Sequence, residues 1–294
     1  MRITVLGAGT MGHGITQVSA MAGHDVVLRD IDEDQLSEGL LSIKLNLETG
    51  IDRGKVTENE KEETLDRITT VTDLETAVDE TEMIIEAVPE KVDLKKNVLS
   101  EAEAAVSEDV VLATNTSSLS ITELASALEH PERFIGLHFF NPVHIMSLVE
   151  AVVAEQSSDQ TREFAKDYVD SIDKTPVVVQ DTPGFASSRL GVALGVEAIR
   201  MVEEGVASPG DIDTSMELGY NHPVGPLELT DIVGLDVRLD ILEYLREELG
   251  ERFKPPQLLK RKVRAGKTGQ KSGEGFYVWE DGEPVAMSGD WGNQ

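Results

Sequence analysis

Short apolar runs alternate with longer amphipathic stretches over the first 180 residues. Arg2–Leu6, Asp25–Leu28, Met83–Ala87, Val110–Ala113, Phe134–Leu137 and Pro176–Val179 have strand length and β-branched content. Between them, Met11–Ala22, Asp34–Ile51, Val92–Val106 and Gln160–Ile172 repeat their apolar positions with the 3.6-residue helical period. Strand–helix alternation predicts a largely parallel sheet covered by helices on both faces. Ser147–Val153 reads as one more strand, its direction left open between parallel and antiparallel.

The period changes at Asp181-Thr182-Pro183-Gly184. Beyond that break Phe185–Glu204, Pro209–Leu218, Pro226–Leu249 and Pro256–Ala265 are all helical in pattern, and the last dozen residues are polar and Gly-rich. The expected fold class is α/β: a doubly wound, mostly parallel sheet over residues 1–182, an all-α domain over 183–280, and a loose polar tail over 281–294.

Composition narrows the function classes. Apolar residues make up 40% of 294, enough for a packed core. No signal-like segment precedes the first strand and no run has the length of a membrane span, so a cytoplasmic location is expected. With no cysteine there is no disulfide, thiolate metal site or cysteine nucleophile, and no metal is expected. Asp plus Glu number 55 against 26 Lys plus Arg, a formal charge of -29. Such a surface repels nucleic acid and anionic membranes. The acids are spread along the helices, which suits a halophilic surface screened by dense cations as well as an ordinary acidic enzyme. Dialysis into low salt separates the two, because only the first loses stability there.

Gly7-Ala8-Gly9-Thr10-Met11-Gly12 follows the first apolar run and opens the first helical one. This GxGxxG, in its strand–turn–helix context, is the Rossmann dinucleotide fingerprint. A diphosphate is expected at the helix N-terminus, where backbone N–H groups and the helix dipole favour anions. Asp30 ends the second strand in the register of the acid that accepts from ribose hydroxyls. A carboxylate there repels a 2′-phosphate and favours NAD over NADP, although Arg29 beside it argues the other way. FAD shares the fingerprint and stays open as a minor alternative.

Two further polar clusters follow strands: Thr114-Asn115-Thr116-Ser117-Ser118 and His138-Phe139-Phe140-Asn141-Pro142. Open α/β sheets bind ligands at the carboxyl ends of their strands. His138, with Glu150 on the next strand, suits a base that takes a hydroxyl proton while hydride leaves the carbon, the carboxylate fixing the imidazole tautomer. Taken alone, His138 reads equally as a hydrogen-bonded structural residue.

Together these segments resemble the 3-hydroxyacyl-CoA dehydrogenases, especially the stand-alone bacterial and archaeal 3-hydroxybutyryl-CoA type. GAGTMGHGI, NTSSLSITELA, RFIGLHFFNPVHIMSLVE, DTPGF, HPVGPLELTDIVGLD and GEGFY occur in the family's order from Leu6 to Tyr277. The glycine pattern alone is shared with other β-hydroxyacid dehydrogenases, whereas NTSS with HFFNP and its downstream Glu is far more selective. The resemblance implies His138 as catalytic base, Glu150 as its partner, and Ser117 bonded to the reacting oxygen and lying near the nicotinamide. It implies cofactor contacts from the glycine turn, Asp30, Glu90, Lys95, Asn115, Ser117, Asn141 and Lys271. Asn46 and Arg53 match positions that touch CoA, and Lys55 adds charge beside them; by themselves these three read as solvated helix or loop residues. The sequence departs from the family at DTPGFASSR, where Ser188 stands in place of the asparagine that completes the active site.

The expected reaction is reversible, NAD-dependent oxidation of an L-3-hydroxyacyl-CoA to the 3-oxoacyl-CoA, in a homodimer joined through the helical domain, where Val224–Leu242 is apolar enough either for the interface or for the domain's own core. Two rivals are a relative acting on a non-CoA hydroxy acid and a catalytically silent NAD-binding protein.

Overall fold

A computed structural model describes residues 1–289. The chain forms two compact units, Met1–Phe185 and Ala186 onward.

In the first unit the elements run β1 (Arg2–Leu6), α1 (Gly12–Met21), β2 (Asp25–Arg29), α2 (Glu33–Asp52), α3 (Glu58–Asp66), β3 (Ile68–Val71), α4 (Leu74–Ala77), β4 (Met83–Glu86), α5 (Val92–Ala104), β5 (Val111–Thr114), α6 (Ile121–Ala125), β6 (Phe134–Phe139), β7 (Leu148–Val153), α7 (Asp159–Ser171) and β8 (Thr175–Gln180). One eight-stranded sheet has the order β3-β2-β1-β4-β5-β6-β7-β8. Its first six strands are mutually parallel, β7 is antiparallel to β6, and β8 is parallel to β7. The expected doubly wound sheet is therefore present, and the open direction of the Ser147–Val153 strand resolves as antiparallel.

Central strands bury both faces, which is why they read as unbroken apolar runs. Ile3, Val5, Ile85, Ala113, Ile135 and Leu137 share one core with α1 and α7. Leu112, Phe134 and Val152 point to the opposite face, against Leu99 of α5 and Ile121 and Leu124 of α6. Two elements escape the hydrophobic pattern. β3 is a four-residue edge strand without a buried residue, and α3 is highly charged, started by a Thr57/Glu60 capping box rather than by an apolar stripe.

The second unit holds α8 (Ser187–Glu203), α9 (Pro209–Tyr220), α10 (Pro226–Val233), α11 (Leu235–Leu249) and α12 (Gln257–Arg264), followed by the antiparallel pair β9 (Tyr277–Glu280) and β10 (Glu283–Met287). The Pro226–Leu249 pattern is two helices, not one, because Gly234 takes a φ of +103° that ends α10. The tail expected to be loose from residue 281 is a hairpin strand as far as Met287, while residues 290–294 of that tail lie outside the described residues. Its turn is Asp281-Gly282, both at positive φ, as a tight hairpin requires. Two buried carboxylates organise this unit. Asp231 accepts from the N–H groups of Phe276 and Tyr277 and from Trp279 Nε1 at 2.8, 2.9 and 3.0 Å. Asp213 accepts from the N–H groups of Leu227 and Glu228 at the start of α10 and from the Tyr277 hydroxyl. Among the described residues no helix is long and apolar enough to cross a membrane.

Candidate active site

Backbone sterics build the glycine turn. Gly7 has φ +105°, and a Cβ on it would stand 2.7 Å from the Ala87 carbonyl oxygen. A Cβ on Gly12 would stand 1.7 Å from the Gly7 carbonyl oxygen, so α1 can follow β1 this closely only without a side chain there. Gly9 differs: its φ lies outside the left-handed region, and a Cβ would meet no protein atom within 4 Å. The fold does not need a glycine at Gly9, and the bare backbone there is open to the close approach of a ligand. Ala8, Thr10 and Met11 complete the turn, with Thr10 exposed and Met11 half-buried.

Asp30 ties this turn to β2, one oxygen accepting from the Ala8 N–H at 2.8 Å and the other from the Asp32 N–H at 3.2 Å. A carboxylate has about four lone-pair sites, so capacity for ribose hydroxyls is left. Arg29 is turned to the Thr72 carbonyl, which its Nε reaches at 3.0 Å.

Three strands along from β1, the β6–β7 pairing sets His138 directly opposite Glu150, and opposed residues project to the same side of a sheet. His138 Nδ1 and Glu150 Oε2 are 2.8 Å apart, and the two residues are 4% and 1% exposed. An ionised carboxylate only accepts, so Nδ1 carries a proton, and in the neutral ring Nε2 keeps a lone pair. The imidazole lies against the rings of Phe140 and Phe185, with centroids 4.4 and 5.7 Å away.

Ser117 is exposed just beyond β5, and its N–H donates to Glu90 Oε1 at 3.1 Å. The same carboxylate oxygen accepts from the Thr116 hydroxyl. Asn115 is buried, and its side-chain oxygen accepts from the Phe139 N–H at 3.1 Å, tying the end of β5 to the strand that bears His138. Asn141 is exposed in the β6–β7 connection. Lys174 braces that connection, its Nζ donating to the carbonyls of Val143 and Met146 at 2.7 and 2.6 Å. Burial pushes the Lys174 ammonium below its usual range.

Lys95, expected as a cofactor contact, has no exposed surface at all. Its Nζ lies 2.8 and 3.0 Å from the two oxygens of Glu86 and 2.9 Å from the Asn115 carbonyl, with Glu90 at 3.5 Å. Its three protons have partners within the protein, which ties α5 to the ends of β4 and β5. Asn46, half-buried on α2, donates to Gln17 at 3.1 Å. Arg53 and Lys55 are exposed at the carboxyl end of α2, where cations also complement the helix dipole.

In the second unit Ser188 is half-buried in the first turn of α8, and Lys271 is ion-paired with Asp236 at 2.6 Å. Sequence reading missed Glu86 and Lys174, and it gave Thr116 no role of its own within the Thr114–Ser118 cluster. Glu86 left a trace: an acid closing the otherwise apolar Met83–Glu86 strand demands a buried partner. No cluster of His, Cys, Asp and Glu able to hold a metal occurs among the described residues.

The bare Gly9 backbone and the acid at the end of β2 fit NAD. Two family models cover the chain, the NAD-binding domain of 3-hydroxyacyl-CoA dehydrogenase over residues 2–182 and its C-terminal domain over 184–279. The probable 3-hydroxybutyryl-CoA dehydrogenase of Deinococcus radiodurans is 43% identical over 280 residues, 95% of this chain and 100% of that one. The human mitochondrial hydroxyacyl-coenzyme A dehydrogenase is 41% identical over 286 residues, 95% of this chain and 91% of that one. The crystal structure of (S)-3-hydroxybutyryl-CoA dehydrogenase from Ralstonia eutropha superposes with a TM-score of 0.92 at 40% identity, covering 95% of this chain and 99% of that one. The chain belongs to the 3-hydroxyacyl-CoA dehydrogenase family and is an NAD-dependent enzyme of that class.

Proposed function

We propose that the preferred substrate is a short-chain L-3-hydroxyacyl-CoA, with 3-hydroxybutyryl-CoA and its oxidised partner acetoacetyl-CoA foremost, and that His138 is the base. The observation that carries this reading is the buried 2.8 Å pairing of His138 with Glu150 at the end of the sheet that also carries the glycine turn. NAD, when bound, supplies the hydride acceptor. His138 Nε2 takes the proton of the 3-hydroxyl, and Glu150 stabilises the imidazolium that results. The Ser117 hydroxyl donates to the reacting oxygen, where negative charge grows as the proton leaves. Asp30, Glu90, Asn115, Asn141 and Lys271 serve the cofactor, directly or by holding the groups that do, while Asn46 and Arg53 serve the CoA moiety. The D. radiodurans and R. eutropha relatives are named for the four-carbon substrate, which supports the chain-length assignment.

Ser188 takes the place of the family asparagine. It keeps a donor and an acceptor on a shorter arm, which favours a bridging water in the amide's place. This one departure gives weight to a second reading, a non-CoA 3-hydroxy acid as substrate. A homodimer through the second unit is part of the proposal. Within Val224–Leu242, Leu227, Leu235 and Leu242 are buried in the unit's core, while Ile232, Val233 and Val237 are exposed. Leu190, Leu218 and Tyr220 on the same unit are 72%, 83% and 75% exposed, apolar surface suited to burial against a second copy. A cytoplasmic location goes with this reading and with the absence of cysteine.

The test is loss of nicotinamide absorbance with NADH and acetoacetyl-CoA, against longer 3-oxoacyl-CoA esters and CoA-free 3-oxo acids. His138→Ala lowers turnover about 10²–10⁴-fold with NADH binding retained. Wild-type turnover in that variant removes His138 from the chemistry, and turnover of the free acids alone removes CoA from the substrate.

A further inference from the structure

Glu86 is a fully buried acid that nothing in the chemistry above uses. It ends β4, and its carboxylate is saturated. Oε1 accepts from the Val88 N–H at 2.6 Å and from Lys95 at 2.8 Å; Oε2 accepts from Lys95 at 3.0 Å and from the Thr114 hydroxyl at 2.5 Å. These donors belong to three separate pieces of chain: the loop after β4, the end of β5, and α5. Lys95 in turn holds the Asn115 carbonyl at 2.9 Å and faces Glu90 at 3.5 Å, and Glu90 accepts from the Thr116 hydroxyl and the Ser117 N–H.

A buried ion pair adds little to stability, since apolar side chains of the same volume commonly serve as well. What this one supplies is direction. The backbone leading into Ser117 is held at two points, by Thr114 and Asn115 before it and by Glu90 at its own N–H, and both lead back to one carboxylate. Burial pushes the Glu86 carboxyl up, and the Lys95 ammonium, the Thr114 hydroxyl and the Val88 N–H pull it back.

We infer that Glu86 is a positioning residue for the dehydrogenase reaction: through Thr114 and through Lys95 and Glu90, it sets where the Ser117 hydroxyl stands. The inference rests on the proposed role of Ser117 and extends it to a residue that touches neither substrate nor cofactor. A misplacement of about 1 Å at a reacting group costs about 10²-fold in rate, so Glu86→Gln, with its amide facing the Lys95 ammonium, lowers kcat by about 10- to 100-fold on that scale.

The experiment measures kcat, KM for acetoacetyl-CoA and melting temperature for the wild type, Glu86→Gln, Glu86→Gln/Lys95→Met, Ser117→Ala and Ser117→Ala/Glu86→Gln. Thr114→Val, which deletes one donor without stranding a charge, is a milder probe should Glu86→Gln fold poorly. The inference expects kcat to fall with little change in KM. In the Lys95→Met background, where no buried charge is stranded, it expects the melting temperature to recover while kcat stays low. In the Ser117→Ala background it expects Glu86→Gln to cost less than about threefold, as residues acting in series do. Recovery of kcat along with the melting temperature, or an undiminished Glu86→Gln effect in the Ser117→Ala background, overturns the inference. Wild-type turnover by Ser117→Ala alone refutes the role of Ser117 itself, a different failure visible in a different variant.

Discussion

Gly9 and Gly12 are three residues apart in one turn, yet the structure assigns them different masters, and paired alanine substitutions tell them apart. In Gly9→Ala the methyl group enters space with no protein atom within 4 Å, at a φ open to any residue. Replacing glycine where the backbone is compatible removes unfolded-state freedom and stabilises by about 0.4–1 kcal/mol, so this variant melts at or slightly above the wild type. The same methyl occupies the path by which a diphosphate reaches the backbone. Losing one charge-assisted hydrogen bond costs about 1.5–3 kcal/mol, which weakens NADH binding roughly 10- to 150-fold. Gly12→Ala puts a methyl 1.7 Å from a backbone oxygen. Helix and strand have to separate, at a cost near the upper end of single substitutions, about 4 kcal/mol or more. Thermal denaturation with NADH fluorescence titration reads both. Wild-type NADH affinity in Gly9→Ala, or a clear drop in its melting temperature, refutes the division.

Glu150→Gln offers an amide that can donate to His138 Nδ1 and move the ring proton to Nε2; kcat for 3-hydroxybutyryl-CoA oxidation falls about 10²–10⁴-fold, and a loss under threefold refutes the tautomer argument. Asp231→Asn leaves at least one of three buried N–H donors without an acceptor, for about 1–3 kcal/mol each, so the second unit melts earlier; an unchanged denaturant midpoint contradicts this. The carboxyls of Glu60 and Asp73 lie below their usual values, Glu60 through the Thr57 N–H and Asp73 through the Thr76 hydroxyl. Depressed acids stabilise above their unfolded values of 4.5 and 3.8 and lose that contribution as the pH falls through the folded ones. Amide exchange protection at the starts of α3 and α4 therefore declines on acidification, before that of the central strands.

Much of the candidate site was readable because its polar groups sit where apolar runs stop. Gly7–Gly12 and Ser117 each follow a buried strand and His138 lies in the last rungs of one, and strand ends are where an open α/β sheet presents ligands. What stayed hidden depends on a third dimension. Nothing in the spacing of His138 and Glu150 says that β7 runs backwards and brings the two face to face. Lys95 looks like a charge on an amphipathic helix until burial shows that it spends all its protons internally. The edge strand β3 and the helix α3 have no apolar stripe to announce them, and the Pro226–Leu249 periodicity passes through Gly234 unbroken although the backbone does not. The final hairpin was legible after all, since Asp281-Gly282 between two apolar runs is a hairpin turn by its own chemistry.

The reversed strand has one more effect. Because the ladder between β6 and β7, rather than the peptide joining them, fixes the acid opposite the imidazole, residues 141–147 can change length or sequence without breaking the His138–Glu150 pairing, whereas a slip of one rung would throw the carboxylate to the other side of the sheet. That connection can therefore vary while the imidazole and its carboxylate stay face to face.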